Sequence, residues 1–368
     1  MTSLSNRLVQ LLDHLVPADQ GSVACHSIPD VDDMVVALLD AKPPSVAVTI
    51  LASDRRAARL RLSALDLPAV RVVGKDSLRG LWAHLRSAYS ISTHGVFGAM
   101  RRGRGKKSST PWHGELSKPI GVFLGREARH FDHVAVSSQN SRILRVAEFY
   151  LPPDNVLVIG TPRQATLIHQ PRAERVAATK SPGERWVMFV PTFRQARRSR
   201  IDYDGSSPEE ETRQALADLS GLTRDHDVTV WLRPHPLADP VDYASPGLRL
   251  ATDEALQDAG LSLYDVLAAT DLLISDYSSV WVDYLILDRP VLGFCPDIDE
   301  YRRARGLALE PYEQWFPGRI TTTGEELCAA TVEVLEGKDS EGQRRGLLRS
   351  LLAEPRPGAA QEYWSTLL

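Results

Sequence analysis

Short runs of β-branched and other apolar residues recur along the first half of the chain, and each run ends in small or polar residues. This pattern predicts buried strands at residues 45–53, 69–74, 88–93, 133–138 and 155–160. Stretches with helical spacing lie between and before them, at 3–16, 76–87 and 138–151. Alternation of this kind predicts a parallel sheet wrapped by helices.

A polar stretch at 164–185 contains two prolines and no strand pattern, which is typical of a crossing between domains. Strand patterns resume at 186–193, 228–236, 272–279 and 290–294, and helical patterns at 206–222, 323–337 and from 340 onward. We therefore predict two Rossmann-like, doubly wound α/β domains that face a cleft. The predicted boundaries are 1–170 and 171–340, with a C-terminal helix at 341–368 that returns to the first domain.

Composition narrows the class of protein. The chain has 368 residues, 43% hydrophobic and 24% charged, which is typical of packed globular domains. No apolar stretch is long enough to span a membrane, and the N-terminus lacks the features of a signal peptide, so we expect a cytoplasmic protein. Three separated cysteines predict buried free thiols rather than a disulfide framework or a zinc site.

The segment LLISDYSSVWVDYLIL, residues 272–287, places polar residues between a strand pattern and a helix pattern. In doubly wound sheets, ligands bind beyond the carboxyl ends of the strands. The free N–H groups of a helix start, with the hydroxyls of Ser278 and Ser279, favour a phosphate or pyrophosphate there. The alternative is that Asp276 or a serine only caps the helix.

Two histidines are also candidate site residues, and the first lies at the end of a strand pattern. His235 lies between two prolines directly after Arg233, and this restricted backbone suits an anion contact or a proton transfer. His113 lies beside a glycine in WHGELSKPIG, where an imidazole could act as a general base. The alternative for each is a structural or surface histidine.

A small hydroxyl residue and a cation follow two more strand patterns: Thr192 with Arg194, and Thr161 with Arg163. Arginines at strand ends can hold diphosphate oxygens in bidentate fashion, so the repetition indicates an anionic ligand. Neither a Walker sequence nor a GxGxxG fingerprint after a strand is present. The carboxylates of DID, residues 297–299, could bind a divalent metal, but a loop end is the simpler interpretation, and we expect neither a resident cofactor nor a metal.

Taken in order, the segments STHGVFG, WHGELSKPIG, AVSSQNSRILRVAEFY, VIGTPRQ, FVPTFR, LRPHP and LLISDYSSVWVDYLILDRPVLGF resemble the CDP-glycerol glycerophosphotransferase family. The resemblance covers roughly residues 90–320. It implies a GT-B-like fold, with an acceptor-side first domain and a nucleotide-donor second domain. It also implies transfer of a polyol phosphate from a CDP-activated donor to a hydroxyl of a lipid-linked or polymeric glycan, as in teichoic acid or capsule synthesis.

The resemblance implies that His113 is the catalytic base and that His235 contacts the donor phosphates. It further implies that Arg233, Ser278 and Ser279 hold the diphosphate, and it places Thr192 and Arg194 on a PTFR motif. Two departures fall near the expected site. Glu115 and Leu116 replace the usual Thr-Pro after WHG, and Gln164 and Ala165 replace the usual Asn-Asp after Pro-Arg.

The segment MRRGRGKKSST concentrates Arg101, Arg102, Arg104, Lys106 and Lys107 without an acid. These cations could engage an anionic membrane surface or a polyphosphate chain, which would make the protein peripheral on the inner face of the membrane. The alternative is a solvated loop. We expect no nucleic-acid partner.

Two rival functions stay open. One is a GT-B glycosyltransferase or sugar-nucleotide epimerase that uses a UDP-sugar, because such enzymes also bind a nucleotide diphosphate on two α/β domains. The other is a binding module that kept the fold and lost activity.

Overall fold

A computed structural model describes residues 3–97, 101–116, 118–126, 128–192, 208–225, 227–234 and 247–368. The chain divides into two compact units. Unit 1 comprises residues 1–115, 120–169 and 354–368, and unit 2 comprises residues 116–119 and 170–353. The predicted interdomain stretch at 164–185 forms two short helices, and the main crossing between the units lies at residues 169 and 170.

Unit 1 is built on a seven-stranded sheet in which every neighbouring pair is parallel. Its strands run in the order β3-β2-β1-β4-β5-β6-β7. They are β1 Asp19–His26, β2 Ala47–Ala52, β3 Arg71–Gly74, β4 Ser87–Ser92, β5 Lys107–Thr110, β6 His133–Val136 and β7 Val156–Val158. The helices that cover it include α1 Ser3–Leu15, α2 Asp33–Asp40, α3 Arg55–Ala64, α4 Leu78–Arg86, α5 Gln139–Phe149 and α6 Gln164–His169. Single 3-10 turns lie at Gly121–Leu124 and Pro153–Asn155.

Helix starts in unit 1 follow the expected capping chemistry. Side chains of Asp32, Asp54, Ser77 and Ser138 accept hydrogen bonds from backbone N–H groups in the first turns of α2, α3, α4 and α5. Apolar residues from α2 and α3 pack with those of the central strands into the main core of the unit. Each of these four helices begins shortly after a strand of the parallel sheet, so its start lies at the carboxyl edge of that sheet.

The basic segment corrects an expectation. We expected its cations to be solvated or to face a membrane or polyphosphate, but Arg102 and Lys106 are buried and ion-paired with Asp13 of α1. Lys107 is the first residue of β5, a strand that the sequence pattern did not predict. Of the five cations of the segment, only Arg101, Arg104 and Lys107 are exposed.

Unit 2 is built on a six-stranded, wholly parallel sheet in the order β10-β9-β8-β11-β12-β13. Its strands are β8 Arg185–Val190, β9 Val228–Leu232, β10 Leu248–Leu250, β11 Leu272–Ser275, β12 Val291–Phe294 and β13 Ile320–Thr321. Its helices include α7 Ala173–Thr179, α8 Pro208–Asp225, α9 Asp253–Asp258, α10 Leu263–Ala269, α11 Val280–Tyr284, α12 Ile298–Ala304, α13 Tyr312–Trp315, α14 Gly324–Leu335 and α15 Gly342–Leu352. A 3-10 turn at Leu285–Leu287 continues α11.

The last helix, α16 (Ala359–Leu367), belongs to unit 1 although it follows unit 2 in the chain. Tyr363, Trp364 and Leu367 are buried in the main core of unit 1. The Trp364 indole donates to the Leu38 carbonyl of α2 at 2.8 Å, and the Tyr363 hydroxyl lies 2.7 Å from the Ser109 hydroxyl of β5. The segment that returns to unit 1 therefore starts at Glu354, while α15 stays with unit 2.

The cysteines are free, with Cys25 and Cys295 buried and Cys328 half-buried. Within the described ranges, no helix combines the length and the apolar character needed to cross a bilayer.

Candidate active site

The strand order of unit 1 reverses direction between β1 and β4, and that switch point carries a cluster of histidines. His26 ends β1, and Thr93 and His94 directly follow β4. The Thr93 N–H donates to the His26 carbonyl at 3.2 Å, which closes the backbone across the two strands. His113 follows β5, the next strand in the sheet.

The His113 ring has a defined tautomer. Its Nδ1 lies 2.9 Å from the Thr93 carbonyl oxygen, which can only accept, so Nδ1 carries the hydrogen and Nε2 keeps a lone pair. The side chain retains exposed surface. Even so, enclosure of the ring by its neighbours, with the adjacent His94, holds the pKa of His113 well below the usual histidine range. The neutral ring can therefore accept a proton at Nε2.

His94 is stacked face to face on His113, with ring centroids 3.8 Å apart and planes 2° from parallel. Its Nδ1 lies 2.9 Å from the Thr93 hydroxyl. Burial, together with His26 and Arg129, lowers the pKa of His94 to about 4. Thr93 thus anchors both rings, His113 through its carbonyl and His94 through its hydroxyl.

Three arginines hold the backbone that carries these histidines. Arg129 donates to the His94 carbonyl at 3.0 Å, Arg145 to the Gly114 carbonyl at 2.8 Å, and Arg163 to the His113 carbonyl at 3.1 Å. The guanidinium carbons of Arg129 and Arg145 also lie 4.7 Å and 5.7 Å from the centroid of the Trp112 ring. Arg163 therefore contacts the backbone of His113. The contact of Arg163 with a diphosphate, expected from the sequence, stays a prediction.

Glu115, a departure from the family pattern, has a structural role. Its buried carboxylate accepts from the Ser137 N–H at 3.2 Å, from the Ser137 hydroxyl, and from the Ser141 hydroxyl at 3.1 Å. This carboxylate ties the loop that bears His113 to the end of β6 and the start of α5. The second departure, Gln164, accepts from the Thr161 N–H at 3.2 Å at the start of α6.

In unit 2, the strand order reverses between β8 and β11, and two predicted residues meet there. Thr192 follows β8 and donates to Asp276 twice, from its N–H at 2.7 Å and from its hydroxyl at 2.6 Å. The Asp276 side chain is fully buried. Asp276 therefore joins the two loops at the switch point.

The rest of the DYSS turn is held by aromatic residues. The Tyr277 hydroxyl donates to Asp297 at 2.9 Å, and its ring stacks on Tyr301 at 3.8 Å. The Tyr312 hydroxyl donates to the Asp276 carbonyl at 2.6 Å. Asp297, considered as a metal ligand from the sequence, accepts a phenol hydrogen bond here.

Ser278 and Ser279 follow at the start of α11, half-buried. The Ser278 hydroxyl accepts from the Val280 N–H at a long 3.4 Å, and Ser279 makes no side-chain cap. Both hydroxyls lie at the helix start, where the sequence pattern favours a phosphate or pyrophosphate.

Arg233 follows β9, and its guanidinium is already engaged. It donates to the Asp253 carboxylate at 2.7 Å and to the Ala251 carbonyl at 2.6 Å. A contact with a diphosphate would have to compete with Asp253, and this role stays a prediction. Arg194 and His235 lie outside the described residues.

The pattern of polar residues after strands indicated Thr192, Asp276 and Arg163, and the same signal was present at Thr93 and His94. His113 was indicated by its glycine neighbour and by the family resemblance, since the sequence did not predict β5. Arg129 and Arg145, which donate to loop carbonyls, had no such signal, because neither directly follows a predicted strand. Across the ranges that the structure describes, no three His, Cys, Asp or Glu side chains are grouped to hold a metal ion.

Comparison with known proteins decides the family. The sequence model described as CDP-Glycerol:Poly(glycerophosphate) glycerophosphotransferase matches residues 38–364. The chain belongs to this glycerophosphotransferase family. Its fold is that of wall teichoic acid polymerase TagF, with a TM-score of 0.76, 17% identity, and coverage of 99% of this chain and 92% of the other. A UDP-GlcNAc 2-epimerase from Neisseria meningitidis is a more distant structural neighbour. Its TM-score is 0.52, with 10% identity and coverage of 94% of this chain and 99% of the other.

Curated relatives of this chain include a teichoic acid ribitol-phosphate primase of Bacillus spizizenii. It is 28% identical over 52% of this chain and 48% of the relative. A teichoic acid glycerol-phosphate primase of Bacillus subtilis is 24% identical, over 54% of this chain and 48% of the relative. The chain thus spans about half the length of these curated relatives.

Proposed function

We propose that the protein transfers a polyol phosphate, with glycerol phosphate the first candidate, from a CDP-activated donor to a hydroxyl group of a lipid-linked or polymeric glycan. The reaction would serve the synthesis of a teichoic acid or a capsule-like polymer. The observation that carries the proposal is the His113 ring, whose Nδ1 binds the Thr93 carbonyl and leaves Nε2 available, in a member of this family.

In this proposal, the acceptor hydroxyl attacks the β-phosphorus of the donor. A new bond forms between the acceptor oxygen and phosphorus, the bond from phosphorus to the bridging oxygen breaks, and CMP leaves. His113 Nε2 takes the hydroxyl proton. The low pKa of His113 in the free protein keeps the ring neutral, and a bound anionic donor would stabilise the imidazolium as it forms.

Donor binding is proposed for the carboxyl edge of the unit 2 sheet. The Thr192–Asp276 bridge and the tyrosines around the DYSS turn hold the backbone there, so the Ser278 and Ser279 hydroxyls stand at a preformed helix start. A developing negative charge on phosphoryl oxygens is best stabilised by such fixed donors. Arg194, Arg233 and His235 are the predicted cationic contacts.

The rival transferase or epimerase that uses a UDP-sugar shares the general fold, as the epimerase neighbour demonstrates. Fold alone does not choose between these chemistries. The family match over residues 38–364 favours polyol-phosphate transfer. The paired histidines of unit 1 favour a catalytic protein over a binding module, since the contact with Thr93 leaves Nε2 of His113 with a lone pair for proton transfer.

The proposal is tested by incubating the purified protein with CDP-glycerol, CDP-ribitol and a UDP-sugar, each with a lipid-linked glycan acceptor. We expect CMP release with at least one CDP-polyol and a product heavier by one or more polyol phosphates. Release of UDP from the UDP-sugar, or binding of CDP-polyol without turnover, would support a rival instead. The same assay with and without a chelator tests whether the reaction requires a divalent metal, which the sequence allows but does not indicate.

We also propose a membrane partner, on a surface different from the one first expected. Leu8, Leu11 and Leu15 are exposed at helical spacing on α1, and Leu78 and Trp82 are exposed on α4, which packs against α1. The exposed cations Arg101 and Arg104 flank Arg102 and Gly103, which bind Asp13 near the end of α1. An apolar helical stripe with neighbouring cations suits an anionic lipid surface. On this proposal the protein acts at the cytoplasmic face of the membrane.

A further inference from the structure

His94 occupies a special position beside the residue proposed as the base. The two rings are parallel within 2° and 3.8 Å apart, so they form a closer and flatter contact than the one between His113 and Trp112, which are tilted by 39° at 4.7 Å. One residue, Thr93, holds both rings at 2.9 Å. The His94 backbone is fixed in turn by Arg129.

We propose that His94 is a positioning residue, which fixes the orientation of the His113 imidazole and holds it in the neutral form from which it accepts a proton. This inference rests on the proposed function only in naming His113 as the base. Two stacked imidazoles at this distance disfavour double protonation, because like charges repel strongly when solvent does not separate them. The two rings therefore titrate as a coupled pair.

The surroundings of the pair are mostly cationic, which adds to the effect. The titratable and charged groups that act on it from the neighbouring elements of unit 1 are His26 of β1, Arg129, Arg145 of α5, Arg163 and, through Thr93, the buried carboxyl of Asp32. Burial raises the pKa of Asp32 to about 6, so this carboxyl is largely protonated, and offers little counter-charge, in the acidic range where the two rings would take up a proton. The neighbouring cations therefore disfavour protonation of His94, in addition to any repulsion from a protonated His113.

The geometry also explains why stacking, and not a direct hydrogen bond, links the rings. Nδ1 of each ring is already bound by Thr93. Parallel stacking leaves the Nε2 edge of His113 unobstructed by His94, as a base requires. A phenylalanine at position 94 would fill similar space and could stack, but it could neither carry charge nor bind the Thr93 hydroxyl.

The test is a histidine titration by NMR, with selectively ¹⁵N-labelled imidazoles and no donor or acceptor present. In the wild-type protein, we expect His113 to be the Nδ1–H tautomer and to stay neutral well below pH 6.5. In His94→Phe, we expect the His113 midpoint to rise by about one pH unit or more. His14→Gln, at an exposed site on α1, serves as the control and should leave the His113 signals unchanged.

An unchanged midpoint and tautomer of His113 in folded His94→Phe would overturn the inference, because a residue that only fills space is replaced adequately by phenylalanine. If His94→Phe does not fold, Thr93→Val gives the same readout. It removes the hydroxyl that binds His94 and keeps the carbonyl that binds His113, and an unchanged midpoint there would overturn the inference equally.

Because the titration uses no substrate, its outcome is separate from that of the donor assay. A protein without turnover can still show the coupled titration, and an active protein can fail to show it. Where turnover is found, His94→Phe should lower kcat with little change in the KM for the donor, and should shift the acidic limb of kcat/KM to higher pH.

Discussion

Asp13 demonstrates how a single buried carboxylate organises a distant part of the chain. It accepts from Arg102 Nε at 2.9 Å, from Lys106 Nζ at 2.9 Å and from the Gly103 N–H at 2.7 Å. Burial alone would raise the pKa of Asp13, but hydrogen bonds and charge from Arg102 and Lys106 lower it to about 2. Cations that look like a surface patch in the sequence are therefore part of the interior.

Replacement of Asp13 by Asn should be strongly destabilising, because it leaves two buried cations without a counter-charge. We expect a loss of about 3 kcal/mol in the free energy of unfolding, measured by urea denaturation at pH 7. Glu336→Gln is the matched control, since Glu336 pairs with Lys338 at the surface and its replacement should leave the free energy of unfolding nearly unchanged. A similar small loss in both variants would contradict the buried role of the cluster.

Sequence reasoning at the level of residues succeeded where a single local rule applies. Thr192 and Asp276 lie directly after strands, as the pattern of polar residues at strand ends predicts. His113 was singled out by its glycine neighbour instead. It failed where pairing joins residues far apart in the chain. Nothing local links Asp13 to Arg102, or Arg233 to the Asp253 carboxylate that holds it.

At the level of elements, the apolar strand patterns located nine of the thirteen strands in the described residues and missed β1, β5, β10 and β13. The reason is clearest for β5. Its residues, Lys107–Thr110, are all polar, and all but the lysine are small. They are tolerated in the interior because their hydroxyls find partners: Ser108 binds Asp132, and Ser109 binds Tyr363 of α16. Both partners are distant in sequence, so a pattern of apolar residues could not have revealed this strand.

The exposed apolar residues of α1 and α4 lead to a prediction about membrane binding at the same scale. The double variant Leu11→Gln/Trp82→Gln should lower binding to anionic vesicles at least about tenfold, since each buried apolar side chain contributes about 1.5–3 kcal/mol. Sedimentation with vesicles that contain phosphatidylglycerol, compared with phosphatidylcholine alone, measures this. Ile143→Gln, at an exposed apolar position on α5, is the control. Equal binding to both vesicle types, or full binding by the double variant, would refute the membrane proposal.

At the level of the whole molecule, the two units repeat one plan. Each sheet is parallel, and the first six strands of unit 1 follow the same order as the six strands of unit 2. Each switch point carries a polar cluster, which is the histidine pair in unit 1 and the Thr192–Asp276 bridge in unit 2. The alternating pattern predicted this α/β class. It could not predict that only the segment from Glu354 onward groups with unit 1, because that grouping depends on where Tyr363 and Trp364 are buried.

The central claim is that a member of this family transfers a polyol phosphate with His113 as its base. The most direct measurement is the steady-state rate of CMP release from the preferred CDP-polyol by wild type, His113→Ala and the control His14→Gln. We predict that His113→Ala lowers kcat at least about a hundredfold with the fold intact, while His14→Gln stays near the wild-type rate. A near-normal rate in folded His113→Ala would contradict the claim.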